Sequence, residues 1–199
     1  MANNKSLPAL KLDRWSAALW LKTFRFIVLI PFLWCASSVN AQTSATPEIS
    51  KHIPDAQLVG EGMFTYYFWD VYLGQLYAPG GEYRGEPPFA LKLTYQRNLK
   101  GAKIAQRSID EMQKQQRLPK EIAANWLSLM EETFPDVKEG DSITGVASED
   151  ATTVFYFNGE RLKRISDTEF TSRFFDIWLS SKTSEPEFKA KLVGKPKAN

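Results

Sequence analysis

The stretch Leu58–Pro79, LVGEGMFTYYFWDVYLGQLYAP, decides how the rest of the chain folds. It is dense in aromatic and β-branched residues, opens with two spaced glycines and runs into the turn signal Pro79-Gly80-Gly81. At 22 residues it is far longer than an ordinary strand, so it reads as a bent strand or two consecutive strands broken near Asp70 or Gly74. Alternation places Phe64, Tyr66, Phe68 and Tyr72 on one face and Met63, Thr65, Tyr67, Trp69, Val71 and Leu73 on the other. Large side chains on both faces predict a central strand. Asp70 interrupts the aromatics and is expected at a bend or paired with a cation such as Arg97.

Downstream, Phe89–Gln96 alternates cleanly: Phe89, Leu91, Leu93 and Tyr95 point one way, Ala90, Lys92, Thr94 and Gln96 the other. This predicts a strand with one buried face. The period then changes. Ala105, Ile109 and Met112 form a narrow apolar stripe within 102–116, the pattern of a surface helix. A second helix is expected after Leu118, with Pro119 in its first turn and Ile122, Trp126, Leu129 and Met130 at helical spacing, ending at Phe134-Pro135. Strands follow over 142–147, 151–157 and 160–165, the last two joined by Asn158-Gly159, a strong hairpin signal. Ser166-Asp167-Thr168-Glu169 fits a capping box opening a helix with Phe170, Phe174, Ile177 and Trp178. Ser184-Glu185-Pro186-Glu187 repeats that logic before a short helix carrying Phe188 and Leu192, stopped by Gly194. Strands, helices, a strand meander and helices again make the class α+β, an antiparallel sheet covered by helices on one side.

The first 41 residues read differently. Lys5, Lys11, Arg14, Lys22 and Arg25 form a basic region, Phe26–Ala36 is apolar, and Val39-Asn40-Ala41 has the small-residue spacing of a cleavage site. The expectation is a cleaved secretory signal peptide over 1–41, hence a periplasmic protein with no stable membrane insertion after cleavage. Residues 42–56 read as a polar linker, 57–194 as the domain and 195–199 as a tail. The chain carries 25 Lys and Arg against 23 Asp and Glu; without residues 1–41, which hold five of those cations and Asp13, it would carry 20 against 22. The basicity therefore belongs to the leader, and nucleic acid is excluded as a partner.

Composition also bounds the chemistry. Cys35, the sole cysteine, lies in the leader, and His52, the sole histidine, lies in the linker, so neither a thiol nucleophile nor a metal site is assigned. No G-x-S-x-G, phosphate-loop or dinucleotide motif occurs, and no cofactor is implied. Gly60-Glu61-Gly62 inside a strand pattern reads as a bulge or a close backbone approach. Tyr66, Tyr67, Tyr95 and Tyr156 suit either a pocket lining or a core edge with the hydroxyl in water, and Thr94 and Gln96 either the same space or solvent.

Gly60-Glu61-Gly62 leading into Phe68-Trp69-Asp70-Val71-Tyr72-Leu73, the strand Ala90–Arg97, Phe134-Pro135-Asp136, Gly140-Asp141 and Phe174-Phe175-Asp176-Ile177-Trp178-Leu179 before Thr183-Ser184 together resemble the chalcone isomerase-like proteins, closest to their exported bacterial branch. The resemblance covers roughly residues 57–192 and implies an open-faced β-sandwich with a cleft between sheet and helices. Plant members cyclise chalcones with an arginine just after the G-x-G, a threonine on the following strand, and a tyrosine and an asparagine around the first helix. Here the arginine position carries Phe64 or Met63, the threonine position carries Tyr67, and no tyrosine occurs between Tyr95 and Tyr156. Without the cation that stabilises a developing enolate oxygen, isomerase chemistry does not carry over. Other branches bind fatty acids in the cleft. The resemblance thus implies a non-catalytic binder of an apolar or amphipathic, fatty-acid-like molecule, with Phe64, Tyr67, Thr94, Tyr95 and Arg97 as ligand-binding candidates. Two alternatives stand beside it: an isomerase or lyase on an enone-like substrate with Tyr67, Tyr95 or Arg97 as proton donors, and a ligand-free envelope interaction module. The sequence names no protein partner.

Overall fold

The computed structural model describes residues 44–194. The signal-peptide and cleavage-site expectations for 1–41, and the tail 195–199, lie outside the described residues. The elements run α1 (Pro47–Ser50), β1 (Ala56–Tyr66), β2 (Trp69–Pro79), β3 (Phe89–Tyr95), α2 (Gly101–Gln115), α3 (Lys120–Thr133), β4 (Ser142–Ala147), β5 (Thr153–Phe157), β6 (Glu160–Ile165), α4 (Thr168–Leu179) and α5 (Pro186–Leu192). The strands form one antiparallel sheet in sequence order, β1 to β6. This is the α+β antiparallel sheet expected from the order of elements, in the open-faced sandwich form that the resemblance implies.

The deciding stretch is a hairpin. β1 and β2 pair antiparallel, Tyr66 opposite Trp69, so the break falls at Tyr67-Phe68 and not at Asp70 or Gly74. Tyr67 takes φ +55°, a backbone conformation that glycine or asparagine usually supplies. Nothing in the residue types marks this turn, because both of its residues are strand formers. β2 is interior as expected, but β1 is the edge of the sheet among the described residues, with an isolated bridge from Ser44 to Gln57 beside it. Asp70 accepts a hydrogen bond from Thr65 Oγ1 across the hairpin at 2.8 Å, and Arg97 lies instead over the Trp69 ring.

One face of the sheet buries Leu76, Leu91, Tyr95, Ile143 and Phe155 against Ala105, Ile109, Met112, Trp126, Phe170 and Phe174 of the helices. The opposite face is not bare. Ile49 and Ile53 are fully buried with Tyr77, Ala90, Val146, Val154 and Tyr156. Residues 44–55, expected as a solvated tether, therefore pack on the sheet: the Ile53 amide, three residues past α1, donates to the Ile49 carbonyl at 2.9 Å, and the two isoleucines share one apolar side. His52 is drawn in as well: its Nε2 and the Tyr156 hydroxyl are 2.7 Å apart, and burial, reinforced by the charge of Lys51, holds the imidazole below its ordinary value.

The glycines explain how the layers approach. A Cβ on Gly60 would lie 2.3 Å from the Lys191 carbonyl oxygen and one on Gly74 would lie 2.6 Å from the Phe188 ring, so the G-x-G and Gly74 admit α5 onto the β1–β2 hairpin. Gly101, at the start of α2, has the tightest fit. A Cβ there would sit 2.0 Å from the Phe134 carbonyl oxygen, which is backbone and cannot rotate away. Gly101→Ala is expected to cost about 3 kcal/mol, the upper range for overpacking, measured as a lower denaturation midpoint at unchanged slope. A loss under about 0.5 kcal/mol would show that the loop after α3 yields.

Two helix starts differ from expectation. Asp167, not Ser166, caps α4 by accepting from the Phe170 amide at 3.0 Å, and its other oxygen accepts from Trp126 Nε1 at 3.1 Å. The two carboxylate oxygens serve one donor each, an arrangement that the single oxygen of a serine does not offer. Ser184 does not cap α5; its hydroxyl donates to Glu111 on α2. The hairpin at Asn158-Gly159 has positive φ at both residues, 49° and 84°, as its sequence predicts.

Candidate ligand cavity

Between the sheet and the helices lies a cavity of about 390 Å³, within the range of small-molecule sites. Its floor is the sheet face that alternation directs inward: Phe64 from β1, Tyr72 from β2, Leu93 and Tyr95 from β3, and Ile143 from β4. Ile104 and Ser108 of α2, Phe174, Ile177 and Trp178 of α4, and Phe134 close it from the helical side. Phe64 stacks on Tyr72 with centroids 4.9 Å apart, and both meet Phe188 edge-on.

Polar groups are few and placed. Trp178 Nε1 donates to the Tyr72 hydroxyl at 3.0 Å. Burial pushes the Tyr72 and Tyr95 phenols well above their ordinary range, only partly offset at Tyr72 by that donor, so both stay neutral hydrogen-bonding groups near neutral pH. On α2, the buried Glu111 carboxylate is held by Arg107 at 2.7 Å, Lys114 at 2.8 Å and the Ser184 hydroxyl at 2.7 Å. Desolvation alone would raise Glu111, but these hydrogen bonds and charges outweigh it and hold the carboxyl below its usual range. Glu185, facing the same cavity, moves the other way, raised by burial and then by the charge of Glu111. Arg97 lines the rim with its guanidinium 4.9 Å from the Trp69 ring centroid, and among the described residues it has no carboxylate within ion-pair distance.

Of the five candidate residues, the structure brings Phe64, Tyr95 and Arg97 together around this cavity. Tyr67 is not there: as a turn residue it is 78% exposed. Thr94 is not there either, because its neighbours Leu93 and Tyr95 face the helices and strand alternation turns it to the opposite side of the sheet. Tyr66 reaches the rim, and Tyr156 lies on the other face with His52. Arg107, Ser108 and Glu111 were hidden in the polar face of an amphipathic helix. The available signal was charge spacing, since Arg107, Glu111 and Lys114 recur at four and three residues, and Ser108 adjoins the stripe through Ile109.

Phe64, one of the two positions where the resemblance asks for an arginine, turns an aromatic ring inward, and Met63, the other, does not line the cavity. No cation replaces it on the floor, which is apolar apart from the two phenols. The lining combines these apolar side chains with the charged groups of Arg97, Lys103, Arg107, Glu111 and Glu185.

Comparison with known proteins agrees with this architecture. Residues 46–194 match the family described as chalcone isomerase-like. An uncharacterized protein of Haemophilus influenzae is 28% identical over 144 residues, which cover 72% of this chain and 70% of that protein. The crystal structure of a fatty-acid binding protein of Arabidopsis thaliana superposes with a TM-score of 0.53 at 12% identity, over 70% of this chain and 87% of that one, a likeness of fold. With three quarters of its length inside the match and the sheet, helical layer and cleft in place, the chain belongs to the chalcone isomerase-like family.

Proposed function

We propose that this is a non-catalytic, periplasmic binding protein whose sheet–helix cavity takes one fatty-acid-like molecule. The carrying observation is the pairing of an apolar cavity of about 390 Å³ with an arginine at its rim, Arg97, that no described carboxylate neutralises. Burial of an alkyl chain against Phe64, Leu93, Ile143 and Ile177 supplies affinity at about 25 cal/mol per Å². Arg97 supplies discrimination, since a guanidinium grips a carboxylate through two parallel hydrogen bonds. The Arabidopsis neighbour, named a fatty-acid binding protein, supports the class of ligand by analogy of fold. The periplasmic location rests on the basic region, apolar run and Val39-Asn40-Ala41 of the first 41 residues, and mass spectrometry of the periplasmic fraction tests it: a chain beginning at Gln42 is expected.

The isomerase alternative loses ground because Tyr67 points to solvent and Tyr95 is a weakened acid. A filled-core interaction module is disfavoured by the cavity itself. The protein should therefore not cyclise a chalcone faster than buffer does. Calorimetric titration should show binding of a long-chain fatty acid, and Arg97→Ala should weaken it by about 1.5–3 kcal/mol, roughly ten- to a hundredfold, while the matching alcohol loses little. Equal losses for acid and alcohol would remove Arg97 from the site. No binding of either by the wild type would overturn the reading.

A further inference from the structure

Four consecutive aromatics, Tyr66, Tyr67, Phe68 and Trp69, form the tip of the β1–β2 hairpin and are 49, 78, 93 and 62% exposed. Among the described residues the other exposed large hydrophobic side chain is Leu162, at 37%. The fold gains little from this tip. Its first turn residue sits at positive φ, where the chain's own β5–β6 hairpin uses asparagine followed by glycine. A bulky aromatic in that position costs turn stability and places hydrophobic surface in water.

The charges around the tip point to what covers it. Arg97 lies over the Trp69 ring at 4.9 Å and Arg107 over the Tyr66 ring at 5.7 Å, while Lys103 lines the same rim. The one acidic residue in the hairpin tip, Asp70, is engaged by Thr65. This basic collar stands out on a domain that is otherwise acidic, with 18 Lys and Arg against 22 Asp and Glu over residues 44–194. Aromatic rings with polar tips, ringed by arginine and lysine, match the chemistry of a bilayer surface. Tyr and Trp settle at headgroup depth, Phe just below, and the cations meet anionic phosphates. Among the described residues no helix is long and apolar enough to cross a membrane, so the contact is peripheral.

The geometry points to the Tyr66–Trp69 hairpin tip as a membrane-docking element that seats in the interface of an anionic phospholipid bilayer, with Arg97, Lys103 and Arg107 at the headgroups. Docking sets the cavity rim on the bilayer, because Tyr66 of the tip lines the cavity, as do Arg97 and Arg107, which lie over the tip's Trp69 and Tyr66 rings. An amphiphile could then pass between lipid and cavity without crossing water. That loading route rests on the ligand-binding reading; the docking does not.

The test uses the chain from Gln42 onward, as the proposed processing leaves it and without a cysteine of its own, with an environment-sensitive nitrobenzoxadiazole label on Phe68→Cys or, at the far end of the sheet, on Glu149→Cys. Both sites are solvent-exposed, so labelling leaves the core intact. Vesicles of phosphatidylcholine with phosphatidylglycerol should shift the label at 68 to the blue and brighten it, and leave the label at 149 unchanged. Affinity should fall about tenfold or more on phosphatidylcholine alone, and fall again with added salt. No shift at 68, or an equal shift at both positions, would overturn the docking. A shift at 68 that grows with protein concentration in the absence of vesicles would assign the tip to a second copy of the chain instead. Equal affinity for the two vesicles would overturn the role of the cations. No fatty acid is present, so a negative result leaves the calorimetric titration to stand or fall separately.

Discussion

Phe155→Ala is expected to remove about 3–5 kcal/mol of stability, enough to threaten the fold of a domain of this size. Phe155 is fully buried in β5 at the centre of the aromatic layer. Its ring meets Phe134, Phe170 and Phe174 edge-on at 5.1, 6.4 and 5.0 Å. It also lies beside Gly145, its partner on β4, where an added Cβ would come within 3.3 Å of the Phe155 ring. Alanine would leave a void enclosed by β4, α4 and the loop after α3, none of which can close in independently. Phe155→Leu keeps most of the volume and loses the edge-to-face geometry, so about 1–2 kcal/mol is expected. Chemical denaturation followed by far-ultraviolet circular dichroism measures both. A loss below about 1 kcal/mol for Phe155→Ala would mean that this layer repacks as a fluid would, contrary to close packing.

The layer that Phe155 anchors was legible from sequence because each of its strands and helices keeps one period throughout. Leu91, Leu93 and Tyr95 alternate, Phe170, Phe174 and Trp178 recur every four residues, and their inward faces are the observed ones. Asn158-Gly159 was legible for a local reason, the positive φ that both residues tolerate. What escaped was decided by neighbours distant in the chain. Tyr67-Phe68 turns although both residues favour strands, because pairing of Tyr66 with Trp69 and of Phe64 with Tyr72 fixes the register on either side. Ile49 and Ile53 look like isolated apolar residues in a polar tether until Tyr77 and Val154 offer them a surface.

The cavity was half legible for the same reason. Phe64, Tyr95 and Arg97 followed from strand alternation and from the resemblance, whereas Arg107 and Glu111 required knowing that α2 covers the end of the sheet where Arg97 stands. A buried carboxylate held by two cations and a serine cannot be told in sequence from a solvated i, i+4 pair. Tyr67 and Thr94 stand outside the cavity for separate reasons: Tyr67 is in the turn between β1 and β2 and in no strand, whereas Thr94 alternates with Leu93 and Tyr95 and so lies on the other side of β3.

Trp178→Ala is expected to cost about 3–5 kcal/mol as well, but with a consequence that Phe155→Ala lacks, because Trp178 is both core and cavity wall. Its ring packs on Phe174 with centroids 5.3 Å apart, and its Nε1 supplies the donor to the Tyr72 hydroxyl. Trp178→Phe separates the two contributions: it retains most of the packing and removes the donor, and the net worth of one such bond is about 0.5–1.5 kcal/mol. The larger part of the alanine loss should therefore return in the phenylalanine variant. Alanine also opens the cavity toward α4, so a long-chain fatty acid that fills it should restore part of the lost stability, more than it adds to the wild type, by preferential binding to the folded state. Denaturation midpoints of wild type and both variants, with and without the acid, measure all three quantities. A loss below about 1 kcal/mol for Trp178→Ala would mean that the wall of the cavity is not formed by the inner face of α4. A full loss that the ligand does not reduce would separate Trp178 from the ligand while leaving its place in the core intact.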